Sequence, residues 1–233
     1  MLVTLIAKTE MVDIPLSVHH TNFDEYYSGD SGADADELAH FAGRSCYQAW
    51  DMPNPATAND MGYLANILKQ QHYSVLEHGS ATFYIEGVSR NLTHELIRHR
   101  HLSYSELSQR YVDMKEAQFI LPPAMFKVEF PEMWSAPDIA EDLKDEYASI
   151  VHDLEQLGIK GKKAREAARA ILPGGMETKI VVTGNHRAWR DMLYKRYSVH
   201  ADAEIRELAC ELLRQLKLLA PATYQDFPDE PFN

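Results

Sequence analysis

Apolar residues recur every three or four positions over several stretches of the chain, and this spacing gathers side chains on one face of an α-helix. The pattern predicts helices over residues 35–50, 58–71, 139–157 and 201–219, and a further helix that begins with Asn185 as its N-cap. The residues predicted to face the core in the first four helices are, in order, Leu38, Phe41 and Ala42; Met61, Leu64 and Leu68; Leu143, Ile150 and Leu154; and Ile205, Leu208, Leu212 and Leu216.

Shorter stretches show the alternation of β-strands. Residues 1–7, 80–86 and 178–183 predict strands, and residues 119–123 predict a strand that runs into a turn. Polar, proline-rich or glycine-rich turns are predicted at residues 28–32, 52–55 and 173–175. Strands and helices do not alternate regularly, which indicates one α/β domain of α+β character over residues 1–233. Ser89 predicts the N-cap of one more helix, with its inward residues at Leu92, Leu96 and Ile97.

The composition is that of an ordinary globular protein, with 45% apolar residues, 25% charged residues and a formal net charge of -12. An acidic chain lacks the basic face that general nucleic-acid binding needs, so we expect no nucleic-acid partner. No apolar run approaches membrane-spanning length, so no membrane partner is expected. Cys46 and Cys210 have apolar neighbours at helical spacing, which predicts two buried, reduced thiols and a cytoplasmic protein.

Residues 98–110 (RHRHLSYSELSQR) form a cationic segment within this acidic chain, with three arginines, two histidines and three serines. Guanidinium groups present planar forks of donors that match phosphate oxygens, and hydroxyl groups spaced along a loop add further donors. The segment therefore predicts a site for a small anionic ligand such as a nucleotide. For Arg98, His99 and Arg100 taken alone, the alternative is a solvated basic helix end that complements the helix dipole.

Two other clusters have a structural explanation beside a functional one. Residues 72–78 (HYSVLEH) contain metal-ligand types, but Ser74 and Glu77 have the spacing of a capping box, which we prefer to a metal site. Arg187 and Asp191 have the spacing of an ion pair on a helix surface. The sequence contains no glycine-rich dinucleotide or phosphate-loop signature, so a cofactor held in the dinucleotide-binding fold is not supported.

The cationic segment resembles the signature Arg-His-Arg-x-x-Ser-x-Asn-x-x-Ser-x-Arg of the flavin-dependent thymidylate synthases, with Ser105 in place of the asparagine. Residues 72–78 resemble the family's upstream His-x-Ser-x-x-Glu-His segment, and residues 185–196 resemble its downstream helix, which begins Asn-His-Arg. Arg169 lies where the family has another substrate arginine. The resemblance covers nearly the whole chain.

This resemblance implies a homotetramer of α/β subunits, each with a central mixed sheet flanked by helices, and FAD bound at subunit interfaces. The implied reaction is the reductive methylation of dUMP to dTMP, with 5,10-methylenetetrahydrofolate as the carbon donor, NADPH as the reductant and no attacking cysteine. The alternatives are a non-catalytic nucleotide sensor and a metal-dependent nucleotide phosphohydrolase, which would use the same arginines or histidines.

The family's motifs also imply site residues by position. Those implied to bind the flavin are His72, Ser74, Arg98, His99, Arg100, Glu106, Asn185, His186, Arg187 and Asp191, with His72 also near the folate. Those implied to bind the nucleotide are Glu95, Arg98, Glu106, Leu107, Ser108, Gln109, Arg110, Arg169 and Arg196. No residue is assigned to a metal.

Arg196 is implied to be the catalytic residue. A fixed positive charge beside the pyrimidine favours negative charge on N3 or O4, which makes C5 more nucleophilic without a thiolate. We therefore expect guanidinium groups from distant parts of the chain to converge on one cavity that holds the nucleotide and the flavin ring.

Overall fold

The strands predicted at residues 80–86 and 178–183 form the centre of one antiparallel sheet. The computed structural model describes residues 1–12, 33–50, 54–127 and 136–233. Its strands are β1 (Leu2–Lys8), β2 (Ser80–Ser89), β3 (Ser103–Glu106) and β4 (Glu177–Asn185), in the order β1-β2-β4-β3. Every pairing among them is antiparallel. The prediction of a mixed sheet is wrong for the described strands: β2 and β3 run in the same direction, but β4 lies between them and runs opposite to both, so no parallel pair forms.

The helices agree with most of the predicted stretches. They are α1 (Asp34–Tyr47), α2 (Asp60–Gln70), α3 (Arg90–Leu96), α4 (Ala136–Gln156), α5 (Lys162–Ala168), α6 (His186–Arg196) and α7 (Ala203–Leu219). Two predicted N-caps are confirmed, because Ser89 accepts from the Leu92 N–H and Asn185 accepts from the Ala188 N–H. The turn predicted at 28–32 and the first part of that at 52–55 lie outside the described residues.

One face of the sheet packs against α6 and α7. Alternate residues of β2 and β4 are buried there, with Phe83 edge-on to the ring of Trp189. Trp189 also donates its indole N–H to the Ala81 carbonyl at 3.2 Å. The predicted inward face of α7 is confirmed, since Ile205, Leu208, Leu212 and Leu216 are all buried in this cluster. This packing fixes α6, which carries several of the predicted site residues, against β4.

Several residues predicted to be inside are partly or largely exposed. In α1 the buried residues are Ala35, Asp36, Ala39, His40 and Gly43, whereas Leu38, Phe41 and Ala42 are only half-buried. The physical reason is that Asp36 accepts hydrogen bonds from the Ala222 N–H (2.7 Å) and the Thr223 N–H (2.9 Å), which turns this side of α1 inwards. The same trend holds in other helices for Met61, Ile97, Leu143, Ile150 and Leu154, which are exposed or half-buried.

Three further predictions are corrected by the fold. The stretch at 119–123 forms only one bridge, between Phe119 and Met176. Strand β2 was predicted to end at residue 86, but it continues to Ser89 through an irregularity at which Gly87 has a φ of 68°. Cys46 and Cys210 are exposed rather than buried.

In the described residues, no helix has the length and apolar character needed to cross a membrane.

The burial of α7 gives a stability prediction. Leu208 is fully buried, so Leu208→Ala should leave a cavity and lower the free energy of unfolding by about 2–5 kcal/mol. Leu218 lies on the same helix with 74% of its surface exposed, and Leu218→Ala should change the stability by no more than about 0.5 kcal/mol. Urea denaturation followed by circular dichroism measures both, and equal losses in the two variants would contradict the packing described here.

Candidate active site

The cationic segment leaves α3 through a tight turn and then enters β3. The His99 N–H donates to the Leu96 carbonyl at 3.1 Å, and the Leu102 N–H donates to the His99 carbonyl at 3.0 Å. The Tyr104 hydroxyl lies within hydrogen-bond distance of both carbonyls, at 2.7 and 2.8 Å. The turn therefore buries His99 and Leu102 and leaves Arg98 and Arg100 exposed.

A glycine in β4 allows this turn to lie close to the sheet. A Cβ atom at position 184 would collide with the side chain of Leu102, and it would also approach the Trp189 ring. The glycine thus permits the buried end of the turn to reach the start of α6. Ser105, which replaces the asparagine of the family signature, lies in β3 opposite Val181 with its side chain exposed.

Arg196, at the end of α6, is held by two residues from α3 and the turn. Its Nε–H donates to His99 Nε2 at 3.0 Å, and its Nη1 donates to the Glu95 carboxylate at 2.6 Å. A longer contact of 3.4 Å joins Nη2 to the Glu95 carbonyl. Three of the residues predicted for the site, far apart in the sequence, are thus brought into one hydrogen-bonded group.

A cleft of about 460 Å³ opens at the N-terminus of α6. Its lining, called here the α6 cleft, is Glu77, His101, Asn185, Arg187, Ala188 and Asp191. Three of the residues predicted to bind the flavin therefore share one cavity. The Arg187 guanidinium group and the Asn185 amide group can donate to an anion such as a phosphate, whereas the Glu77 and Asp191 carboxylates oppose one.

A second cleft, of about 350 Å³, lies along α3. Its lining, called here the α3 cleft, is Arg90, Asn91, Thr93, His94, Ile97, Glu106, Gln109, Leu172, Pro173 and Gly174. Glu106 accepts from the hydroxyl groups of Thr93 (2.7 Å) and Thr178 (3.1 Å), and it lies 3.4 Å from Arg90. Glu106 and Gln109, both predicted to bind the nucleotide, therefore share a cavity.

The sequence analysis missed several residues of the α3 cleft, above all Arg90. The side chain of Arg90 is held by Glu106 and also reaches the Leu107 carbonyl at 3.3 Å. Its position at the start of α3, directly after the Ser89 cap, was a usable signal, because a cation is unfavourable at that end of a helix dipole. A basic residue at the first position of α3 therefore indicates a role other than stabilising the helix.

Other predicted residues lie outside the two clefts. Arg110 Nε is 2.8 Å from the Glu166 carboxylate, although its N–H is not aligned for a hydrogen bond. His72 and Ser74 are exposed in and beside a 3-10 helix, Tyr73–Glu77, and Arg169 is half-buried at the start of another, Arg169–Ile171. Leu107 and Ser108 are half-buried, and the Leu107 N–H donates to the Lys179 carbonyl at 2.8 Å.

Two local predictions in this region are wrong. Ser74 does not cap a helix, because it lies inside the 3-10 helix, and Glu77 instead pairs with Arg187. Arg187 consequently does not pair with Asp191, whose carboxylate binds Lys195 at 2.7 Å. Within the described residues, no group of three metal-ligand side chains is close enough to hold a metal ion.

Within the part of the chain that the structure describes, the predicted site residues divide between these two clefts. The α6 cleft and the α3 cleft have no lining residue in common. Arg196 and its partners Glu95 and His99 line neither of them, and Arg98 and Arg100 face outwards. One subunit therefore presents two separate clefts, each with an arginine paired to a carboxylate, and a hydrogen-bonded group around Arg196.

Comparisons with known proteins relate these residues to one family. A family model described as thymidylate synthase complementing protein matches residues 30–222. The chain is 53% identical over 211 residues to a probable flavin-dependent thymidylate synthase of Mycobacterium phage L5, with 89% of this chain and 86% of that protein covered. It is 47% identical over 232 residues to the flavin-dependent thymidylate synthase of Mycobacterium tuberculosis (strain ATCC 25618 / H37Rv), with 97% of this chain and 89% of that protein covered.

His186, predicted to bind the flavin, is buried with its Nδ1 atom 2.9 Å from the Tyr224 hydroxyl, and this gives a pH prediction. Burial lowers the pKa of His186 from 6.5 to about 4. Between these values the unfolded chain binds a proton that the folded chain does not. The contribution of His186 to stability is therefore complete above pH 6.5 and falls as the pH drops towards 4.

In His186→Gln, whose amide can still bond to Tyr224, the unfolding free energy should depend less steeply on pH than in the wild type. The difference should reach at most about 3 kcal/mol across the window. Chemical denaturation at several pH values measures both curves, and their difference removes the contributions of other groups such as Asp36, whose pKa burial raises to about 6. Parallel curves would contradict a buried, neutral His186.

Proposed function

The chain belongs to the family of thymidylate synthase complementing proteins, and on that premise we propose that it is a flavin-dependent thymidylate synthase that methylates dUMP to dTMP. The proposal rests on Arg196, the residue that the family's motifs imply to be catalytic, which is fixed by Glu95 and His99 rather than free in solvent. The named relatives are synthases, so neither the nucleotide sensor nor the phosphohydrolase is proposed further.

Arg196 has donors to spare for a substrate. A guanidinium group has five N–H donors in a fixed planar arrangement. Contacts to His99 and Glu95 among the described residues use three of them, one on each nitrogen. The remaining two N–H groups, on Nη1 and Nη2, can donate to the O4 and N3 edge of a uracil ring and stabilise negative charge there as C5 attacks.

A cysteine nucleophile is not needed in this scheme. Cys46 and Cys210 are exposed, and neither lines the α6 cleft or the α3 cleft. Desolvation raises the pKa of the Cys210 thiol, which disfavours the reactive thiolate. Free thiols at the surface also suit a reducing compartment, and we propose that the protein acts in the cytoplasm.

The α6 cleft is proposed to bind FAD, whose phosphates would accept hydrogen bonds from Asn185 and Arg187. When bound, FAD supplies the hydride chemistry, with NADPH as reductant and 5,10-methylenetetrahydrofolate as carbon donor. The residues of this chain bind and orient the ligands. The α3 cleft is proposed to bind dUMP through Gln109 and Arg90, with Glu106 holding Arg90 in place.

We further propose a homotetramer in which each site is completed by a second copy of the chain. The two clefts of one subunit are separate, yet the reaction requires the nucleotide and the flavin to be in contact. Apolar side chains that a lone subunit leaves exposed or half-buried, such as Leu38, Phe41, Leu2 and Ile6, would be covered in such an assembly. The exposed Arg98 and Arg100 would then reach ligands held by a neighbouring subunit.

The proposal predicts a yellow protein with a coupled reaction. Purified protein should show flavin absorbance, and it should oxidise NADPH at a rate that responds to dUMP. With methylenetetrahydrofolate present, it should form dTMP, which chromatography measures. A colourless protein that binds dUMP without turnover would instead favour a sensor, and an activity abolished by chelators would favour a phosphohydrolase.

The assigned role of Arg196 predicts a specific defect. Arg196→Ala should retain flavin but lose about 10²–10³-fold in the rate of dTMP formation, because it removes the charge that stabilises the developing anion. Arg214→Ala is the matched control, since Arg214 is exposed on α7 and pairs only with Glu211 among the described residues. Near-normal turnover by Arg196→Ala would show that Arg196 does not stabilise the developing anion.

A further inference from the structure

His99 is buried at the turn between α3 and β3, with 7% of its surface exposed. Its Nε2 atom receives the Nε–H of Arg196 at 3.0 Å. Arginine has only donors, so Nε2 must be the unprotonated nitrogen of a neutral imidazole ring. The single ring proton then lies on Nδ1, which is 3.9 Å from the Asp191 carboxylate.

The charges around the ring oppose a second proton. Burial, together with the positive charges of Arg196 and Lys195, lowers the pKa of His99 to about 4, and the Asp191 carboxylate opposes this shift only in part. Glu95, on α3, faces Arg196 at 2.6 Å rather than His99. His99 is therefore a neutral acceptor at any pH near neutrality.

The two groups that hold Arg196 differ in their effect on its charge. The Glu95 carboxylate neutralises the guanidinium group, and Glu95 is itself assigned to the nucleotide, so its contact with Arg196 competes with ligand binding. His99 holds the Nε–H without adding a charge. If the Glu95 side chain turns towards a ligand, the hydrogen bond to His99 still holds the orientation of the Arg196 guanidinium group.

We propose that His99 is a positioning residue for Arg196, whose neutral imidazole orients the guanidinium group towards the pyrimidine and leaves its positive charge intact. This inference rests on the proposed function, and it gives His99 a role different from the direct flavin contact that the motif implies. It concerns the side chain alone, because the backbone of the turn is fixed by Leu96 and Tyr104.

Two variants separate these roles. His99→Leu keeps the approximate size of the side chain and removes the acceptor, and it should lower kcat per bound flavin by about 10–100-fold, as loss of an orienting partner does. The KM for dUMP and the flavin content should change less than threefold. His99→Gln retains an acceptor oxygen and should recover most of kcat. His200→Leu, at an exposed histidine after α6, is the control.

A double variant tests whether His99 acts through Arg196. In the Arg196→Ala background, His99→Leu should cause no further loss of kcat, because the group that it positions is absent. Full additivity of the two losses would overturn the inference. Loss of flavin at unchanged kcat per bound flavin would show that His99 contacts the cofactor instead. Equal losses of kcat in His99→Leu and His99→Gln would show that His99 has a packing role only.

One readout needs neither flavin nor turnover. Nitrogen NMR of the ligand-free protein labelled at histidine, assigned by comparison with His99→Gln, should show His99 as the neutral tautomer with its proton on Nδ1. This signal should persist at pH 5.5, roughly one unit below the ordinary pKa of histidine. A protonated ring there would overturn the inference, whereas failure of the enzyme assay with this signal intact would count against the proposed function alone.

Discussion

A site for several anionic ligands must hold guanidinium groups near one another before any ligand arrives. Two like charges 4 Å apart repel by about 4 kcal/mol at an effective dielectric constant of 20. This chain meets the constraint with carboxylates. Arg196 pairs with Glu95 at 2.6 Å, Arg110 lies 2.8 Å from Glu166, Arg90 lies 3.4 Å from Glu106, and Arg187 pairs with Glu77. Because these pairs are partly exposed, they add little to stability, but each is a contact that an anionic ligand can replace.

The same pairs place carboxylates of this acidic chain beside arginines at and near the two clefts. The formal net charge is -12, yet some of the acidic groups are committed to arginines at the two clefts. The pairing also has a geometric result, because Arg196 ties the end of α6 to α3 and to the turn that contains His99. Packing of the sheet against α6 and α7 fixes the position of α6. The hydrophobic core therefore determines where Arg196 can bond to Glu95 and His99.

Local patterns were enough to predict most of the helices and three of the four described strands, although not β3, but they did not predict the environment of these elements. The period of α7 and the caps at Ser89 and Asn185 follow from side chains and backbone groups a few residues apart, and those predictions were confirmed. The partner of Arg187 lies 110 positions away in the sequence, at Glu77, and no local spacing encodes it. The local i,i+4 spacing of Arg187 and Asp191 indicated a surface ion pair as one explanation, but Asp191 pairs with Lys195 instead. Apolar periodicity likewise predicted that Leu38 and Phe41 face inwards, because periodicity identifies an apolar face without identifying what covers it.

A division of the site between subunits would also relieve the electrostatic constraint. In one subunit Arg98 and Arg100 are exposed in the turn between α3 and β3. Arg90 and Arg187 line different clefts, and each is paired with a carboxylate. Each chain can then fold without gathering all of its cations in one place. The full set of guanidinium groups would come together only when copies associate, at which point anionic ligands can neutralise them. On this argument, ligand binding should stabilise the assembly more than the isolated subunit, because only the assembly contains the complete set of donors.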